Sequence, residues 1–325
     1  MLPGMAELTY QNPVWPGHFA DPFVLRVGQV YYAYGTGPRD PRGHEIPVLR
    51  STNLANWESI GGALTPLSNP KGVSYWAPEV VQRHGKFFLY YSASTIPSDE
   101  GHRLRVATSY DPGGPFMDSG NLLLPEQGFT IDGSPFIDPK DGQAYLFFAT
   151  DFESDDPVGT GVCVVRLHEN LMQTTGKVHV VVRATAPWQI YQTDRNYKGR
   201  MWPVWNCVEG PNVLFHEGKY YCLYSGGAWS SERYGVGFVQ ADHPLGPWHP
   251  TAISQGPTVL EGIPARIIGP GHNSLFRTPG GKLFMAYHAW DPAHTARRMF
   301  FDPLIWTPDG PKVDGPTDEK RTVRL

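Results

Sequence analysis

With 325 residues, 40% of them hydrophobic, the chain can bury a large core, and its formal net charge of −4 supplies no basic field for nucleic acid. No apolar run reaches the roughly 18 residues that mark a membrane helix, and long amphipathic helical patterns are absent. The 36 glycines, 32 prolines and 13% aromatics suit an all-β protein of many short strands.

Taken in order, the chain starts without a basic region followed by an apolar one, so no secretory signal is visible. The expected location is cytoplasmic, or secreted if a leader has been removed. One device then repeats five times: a polar residue, a turn, and a strongly aromatic strand. Asp21-Pro22-Phe23 leads into Val30-Tyr31-Tyr32-Ala33-Tyr34, and Trp76-Ala77-Pro78-Glu79 into Phe87-Phe88-Leu89-Tyr90-Tyr91. Asp132-Gly133-Ser134 leads into Tyr145-Leu146-Phe147-Phe148, Glu209-Gly210-Pro211 into Tyr220-Tyr221-Cys222-Leu223-Tyr224, and Gly271-His272-Asn273 into Leu283-Phe284-Met285-Ala286-Tyr287. The connecting turns carry glycine, as in His84-Gly85-Lys86 and Glu217-Gly218-Lys219, where a positive φ closes a tight hairpin. Further strands follow in each unit, and Trp57, Phe116 and Trp248 at their ends read as core packing.

Five repeats of four strands predict a five-bladed β-propeller forming a single domain over residues 1–325. The first ten or so residues and the tail after Trp306 are expected to close the ring or lie outside it. The polar starts of the innermost strands then converge at one mouth of the central channel: Asp21, Asp132, Glu209 and His272, with Trp76 or Glu79 from the second unit. Residues 184–206 form the longest connection. They hold Trp188, Tyr191, Tyr197, Trp202 and Trp205, and read as a long aromatic loop that either forms a substrate wall or folds over the side of the fourth blade. In Arg297-Arg298, either one arginine, assigned here as Arg298, reaches the channel or the pair is a solvated strand end. Cys163, Cys207 and Cys222 are odd in number and lack metal-ligand spacing, so buried free thiols are expected.

Paired carboxylates at a concave site are the minimum apparatus for glycosidic bond hydrolysis, one protonating the leaving oxygen and another activating water or attacking carbon. Trp76, Trp202 and Trp205 suit the apolar faces of sugars. As isolated turn or cap residues, Asp21, Asp132 and Glu209 would carry no such meaning. Three of them at equivalent repeat positions do.

Asn12-Pro13-Val14-Trp15-Pro16-Gly17-His18-Phe19-Ala20-Asp21-Pro22, Trp76-Ala77-Pro78-Glu79-Val80, Ile131-Asp132-Gly133-Ser134-Pro135-Phe136 and Val208-Glu209-Gly210-Pro211 together resemble glycoside hydrolase family 43 over nearly the whole chain. The resemblance implies a five-bladed propeller and an inverting mechanism. Asp21 would be the general base, Glu209 the general acid, and Asp132 the carboxylate that orients the acid and raises its pKa. No cofactor is required for the chemistry. His272 matches a histidine near the channel centre that is associated with a calcium ion held largely through water. His18, three residues before Asp21, would help shape the sugar pocket, or else face solvent from its loop.

The expected partners are arabinose- or xylose-containing oligosaccharides. The reading adopted is an exo-acting α-L-arabinofuranosidase, with a β-xylosidase or a bifunctional enzyme as runner-up and an endo-arabinanase third. Absence of a C-terminal β-sandwich tilts the choice away from many xylosidases. A catalytically inactive sugar-binding propeller, or an interaction propeller, would not need three intact carboxylates at the axis.

Overall fold

Residues 7–68, 73–94, 96–250 and 256–325 are described by a computed structural model. Five antiparallel blades follow in chain order. Blade 1 comprises Ala20–Val27, Val30–Thr36, Glu45–Ser51 and Glu58–Leu64; blade 2 comprises Ser74–Arg83, Lys86–Ser94, His102–Ser109 and Met117–Leu122. Blade 3 comprises Thr130–Ile137, Ala144–Phe152, Gly159–Leu167 and Thr174–Val182. Blade 4 comprises Arg200–His216, Lys219–Gly226, Gly235–Ala241 and Trp248–Pro250. Blade 5 comprises Ile268–Arg277, Leu283–Trp290, Arg297–Thr307 and Gly310–Val313. Each blade's first strand packs against the first strand of the next, and the fifth packs against the first, so the ring closes around one axis. The only helical segments among the described residues are two short 3-10 turns, and no helix is long and apolar enough to cross a membrane.

The aromatic second strands are apolar on both faces because each is sandwiched between neighbouring blades. In blade 2, Phe87, Leu89 and Tyr91 pack into the layer shared with blade 1, while Phe88 and Tyr90 pack into the layer shared with blade 3. Blade 3 divides likewise, with Leu146 and Phe148 on one side and Tyr145 and Phe147 on the other. Phe116 and Trp248 are buried and Trp57 packs against the layer between blades 5 and 1, as the sequence suggested. All three cysteines are buried free thiols.

Closure of the ring differs in detail from expectation. The segment beyond Trp306 first completes blade 5 and only then returns, as Arg321–Arg324, to pair with Glu7–Tyr10 in a separate two-stranded sheet. Residues 1–6 of the expected N-terminal flank lie outside the described residues. The N-terminal segment is tied to blade 5 at the buried Asp302, whose carboxylate accepts from Tyr10 Oη at 2.8 Å and Tyr287 Oη at 2.7 Å.

The segment 184–206 is ordered differently from the expected loop. After a 3-10 turn at Pro187–Gln189, Ile190–Tyr197 pairs antiparallel with the start of the long strand Arg200–His216. Lys198 (φ 51°) and Gly199 (φ 71°) close this hairpin, with the two positive φ values that a two-residue turn between twisted strands requires. Its base joins blade 3 to blade 4 through parallel pairing of Gly159 with Asn206 and Thr160 with Cys207.

Candidate active site

One backbone device recurs in every innermost strand. Asp21 (φ 51°), Ala77 (φ 48°), Asp132 (φ 58°), Gly210 (φ 56°) and His272 (φ 50°) all occupy the left-handed region. Each coincides with a break in register against the second strand: 20/23, 76/79, 131/134, 209/212 and 271/274. Such a bulge bends the strand and re-aims side chains beside it. Asp tolerates this conformation better than most residues, which is one local reason two carboxylates stand here. Glu209 is not the strict equivalent of Asp21. It precedes the bulge residue by one and so shares its place with Trp76.

Two tiers of polar side chains follow. At the mouth stand Asp21, Asp132, Glu209 and His272. One step along each strand, beyond the bulge, Glu79 lies 3.2 Å from Asn212 Nδ2, Asn212 accepts the Leu275 N–H at 3.2 Å, and Ser274 donates to the Pro22 carbonyl at 2.8 Å. Trp76 and Glu79, the alternatives raised for blade 2, therefore both face the channel region at different levels. Burial pushes Glu79 up to about 8, against hydrogen bonds from Ser134 and Asn212.

Asp21 is the carboxylate held charged. Burial opposes its ionisation, but Arg297 and then His272 outweigh that and keep it well below the usual carboxylate range. Arg297 Nη1 lies 3.1 Å from Asp21 Oδ1, and His272 Nδ1 lies 3.5 Å from the same oxygen. His288 Nδ1 lies 3.1 Å from the Asp21 backbone nitrogen. The same Nδ1 lies 3.1 Å from Asp21 Oδ1, and burial brings His288 down to about 4, so near pH 7 it is neutral. Burial works against the charge of His272, but the carboxylates of Asp21, Asp132 and Glu209 raise it above the ordinary value.

Asp132 behaves oppositely. Burial, followed by the negative charges of Glu209 and Asp21, pushes it up to about 7, although His272 and the Gly210 N–H act the other way. That N–H donates to Asp132 Oδ2 at 2.9 Å, fixing the backbone immediately after Glu209. Glu209 Oε1 accepts from Tyr234 Oη at 2.9 Å, and the Tyr234 ring stacks on His288 at 5.9 Å. A hydrogen-bonded and stacked set thus runs from Glu209 to Asp21.

A cleft leads away from Glu209, walled by Trp76, Tyr191, Arg195 and Trp229. Trp76 stacks on the buried His102, ring centroids 3.5 Å apart. Trp229 is covered on one face by Arg297, whose guanidinium carbon is 4.6 Å from its ring centre. A second depression on the other side of Trp76 contains His18. Partial burial and then the charge of Arg297 lower the His18 imidazole.

Three sequence assignments change. Arg298 does not reach the channel, because its guanidinium is paired with Asp291 at 2.9 Å; Arg297, one residue earlier on an alternating strand, takes that place. Trp202 is buried, with Nε1 donating to the Tyr197 carbonyl at 3.2 Å and Arg200 covering its ring at 3.9 Å. It packs the hairpin instead of presenting a face to the cleft. Trp205 lies at the cleft but is fully buried beneath Tyr197 and Arg195, so it forms the floor.

Sequence reasoning missed Tyr234, His288, Trp229 and Arg195. None sits in the repeated motif at the start of an innermost strand. A calcium ion at His272 finds no direct cage: among the described residues, no three His, Cys, Asp or Glu side chains gather as metal ligands. Calcium prefers oxygen ligands, and the His272 Nδ1 faces Asp21. The expected ion was one held largely through water, which a direct cage does not test, and no chemical step is derived through it.

The chain matches the model of glycosyl hydrolases family 43 over residues 10–311. It is 28% identical over 316 residues to a β-D-galactofuranosidase of Aspergillus niger, covering 90% of this chain and 82% of that one. It is 26% identical to an extracellular endo-α-(1→5)-L-arabinanase of Bacillus subtilis, covering 90% and 86% of the two chains. Among solved structures, a thermostable family-43 glycoside hydrolase superimposes with a TM-score of 0.81 at 31% identity, covering 96% of this chain and 98% of that one. The five-bladed ring, the carboxylates at its mouth and these matches together place the chain in glycosyl hydrolase family 43.

Proposed function

We propose that the chain is a single catalytic domain that releases terminal α-L-arabinofuranosyl residues from arabinan- or arabinoxylan-type oligosaccharides, with inversion. The observation that carries this is the charged Asp21, held by Arg297, standing in the same ring mouth as Glu209, from which a cleft walled by Trp76 and Trp229 leads away. Asp21 takes a proton from water as that water attacks the anomeric carbon. The bond to the leaving oxygen breaks, and Glu209 gives its proton to that oxygen. Both steps need the two groups in opposite protonation states. Asp132 acts on Glu209 through the Gly210 N–H, which it holds and which fixes the backbone that carries the acid. The aromatic walls offer apolar faces to the sugar and exclude water, and His18 lies at the rim beside Trp76.

A furanoside is preferred because the relatives at hand include a β-D-galactofuranosidase and arabinan-active enzymes. Their sugars share the five-membered ring and its hydroxyl arrangement. An endo-acting arabinanase is the second reading, supported by the Bacillus subtilis relative.

The test is hydrolysis of 4-nitrophenyl α-L-arabinofuranoside, 4-nitrophenyl β-D-xylopyranoside and linear arabinan, with Glu209→Ala as the blank. The first should give a higher kcat/KM than the second, linear arabinan should release monomeric arabinose, and NMR of the first-formed sugar should show the inverted anomer. Preference for the xyloside, or internal cleavage of arabinan, overturns the exo-arabinofuranosidase reading. Full activity in Glu209→Ala overturns the acid assignment.

A further inference from the structure

We propose that Arg195, on the hairpin beside Glu209, is the specificity-determining residue of a subsite for the sugar on the leaving-group side, so that the enzyme is built for a chain and not for a simple glycoside. This rests on the reading of Glu209 as the acid. The acid's proton goes to the leaving oxygen, so whatever that oxygen belongs to must lie in the cleft that Glu209 shares with Arg195.

The guanidinium carbon of Arg195 lies 4.0 Å from the ring centre of Tyr197 and 4.8 Å from those of Tyr191 and Trp205. Three rings therefore fix the orientation of a side chain that ordinarily has many rotamers. Among the described residues, no carboxylate, carbonyl or hydroxyl hydrogen-bonds to that guanidinium. Its planar fork of N–H donors is held in place and left open towards the cleft. The nearby Asp151 is already committed, to Lys198 at 3.1 Å, Tyr197 Oη at 2.9 Å and Thr160 Oγ1 at 3.0 Å.

The platform is also preformed. Lys198 at the hairpin tip bonds Glu153 as well as Asp151, and Asn206 at its base donates to the Val158 carbonyl at 2.8 Å. A ligand therefore finds the donors in position without ordering a loop, which favours affinity. Hydroxyl and ring oxygens of a neutral sugar are the acceptors that fit. Asp99 and Asp151 on the same cleft disfavour a uronate.

The experiment compares Arg195→Leu with wild type on two substrates of the same terminal sugar: a linear tri- to pentasaccharide, and a 2,4-dinitrophenyl glycoside whose leaving group fills no sugar subsite. The ratio of kcat/KM for oligosaccharide over aryl glycoside should fall roughly ten- to a hundred-fold, the range lost with a hydrogen bond to a charged group, mainly through KM. Arg195→Lys keeps the charge without the fork and should lie between; should Arg195→Leu fail to fold, it carries the same comparison. An unchanged ratio overturns the proposal, whether both substrates fall together or neither does. Glu209→Ala on the same pair separates the two readings: it should spare the activated aryl glycoside far more than the oligosaccharide. Equal loss on both would remove the acid assignment, whatever Arg195 does.

Discussion

Replacing Arg297 by Met should disarm Asp21 and destabilise the fold together. The Arg297 Nη1 to Asp21 Oδ1 distance is 3.1 Å, with the two side chains only 15% and 8% exposed. At an effective dielectric constant of about 20, two unit charges at that distance attract by about 5 kcal/mol. Breaking a buried pair from one side costs about 3–5 kcal/mol, because the remaining charge is left without its partner. His272 remains 3.5 Å from Asp21 and compensates in part, so the lower end, about 3 kcal/mol at pH 7, is expected.

The sign with pH follows from the depressed Asp21. Its contribution to stability is fully present above the unfolded carboxyl value of 3.8 and is lost as pH falls through the lower folded value. The gap between wild type and Arg297→Met should therefore narrow in acid. With Arg297 gone, burial dominates, Asp21 moves up, and the acid limb of kcat/KM shifts towards neutrality. Urea unfolding at pH 7 and pH 3 and a pH–rate profile measure both effects. Unmoved limb and midpoint together would refute the idea that Arg297 keeps Asp21 charged; recovery of the limb in Arg297→Lys would support it.

Glu79→Gln should remove a pH-dependent cost. Glu79 is raised from 4.5 to about 8, so wild-type stability falls as pH rises between those values, and the variant should gain on wild type in melting temperature between pH 5 and pH 8; parallel curves would count against it. Tyr234→Phe deletes the 2.9 Å hydrogen bond to Glu209 and should lower kcat/KM by roughly tenfold or more, with little change in far-UV circular dichroism. Gly210→Ala places a Cβ at φ 56° and 3.3 Å from the His272 ring. Thermal melts should show a loss of about 1–2 kcal/mol for the left-handed backbone, with kcat falling as well, because His272 is displaced beside Asp21.

What was legible in the chain was whatever the repeat enforces. Asp21, Asp132, Glu209 and His272 stand in or beside a bulge that each innermost strand makes, so the repeat marks each of them. The aromatic runs were legible for a similar reason: a strand between two blades is apolar on both faces, as Phe87 to Tyr91 divide between two layers. The choice between Arg297 and Arg298 was not legible. Both begin the same strand, and only the register against Trp290 and Ala289 decides which side chain turns to the axis. The hairpin at 190–206 was hidden by its aromatic content, although Lys198-Gly199 between two extended runs was a turn signal.

The residues that escaped share a physical origin. Tyr234, His288 and Trp229 reach the site from second and third strands or their connections, where sequence position says nothing about distance to the axis. The bulge explains why the division falls there. It fixes backbone geometry at five places while leaving the side chain free, and so the chain can carry Asp, Ala, Asp, Gly and His at one structural position. Chemistry is written into that variation, but its tuning is not. Asp21 and Asp132 have the same side chain and the same backbone conformation, yet Asp21 is held charged while Asp132 is pushed up to about 7. Arg297 bonds the first, whereas at the second burial and the negative charges of Glu209 and Asp21 outweigh His272 and the Gly210 N–H. Identical residues in equivalent repeats acquire opposite protonation tendencies from charges that only the closed ring brings near, and the base at this mouth depends on Asp21 being the one that keeps its charge.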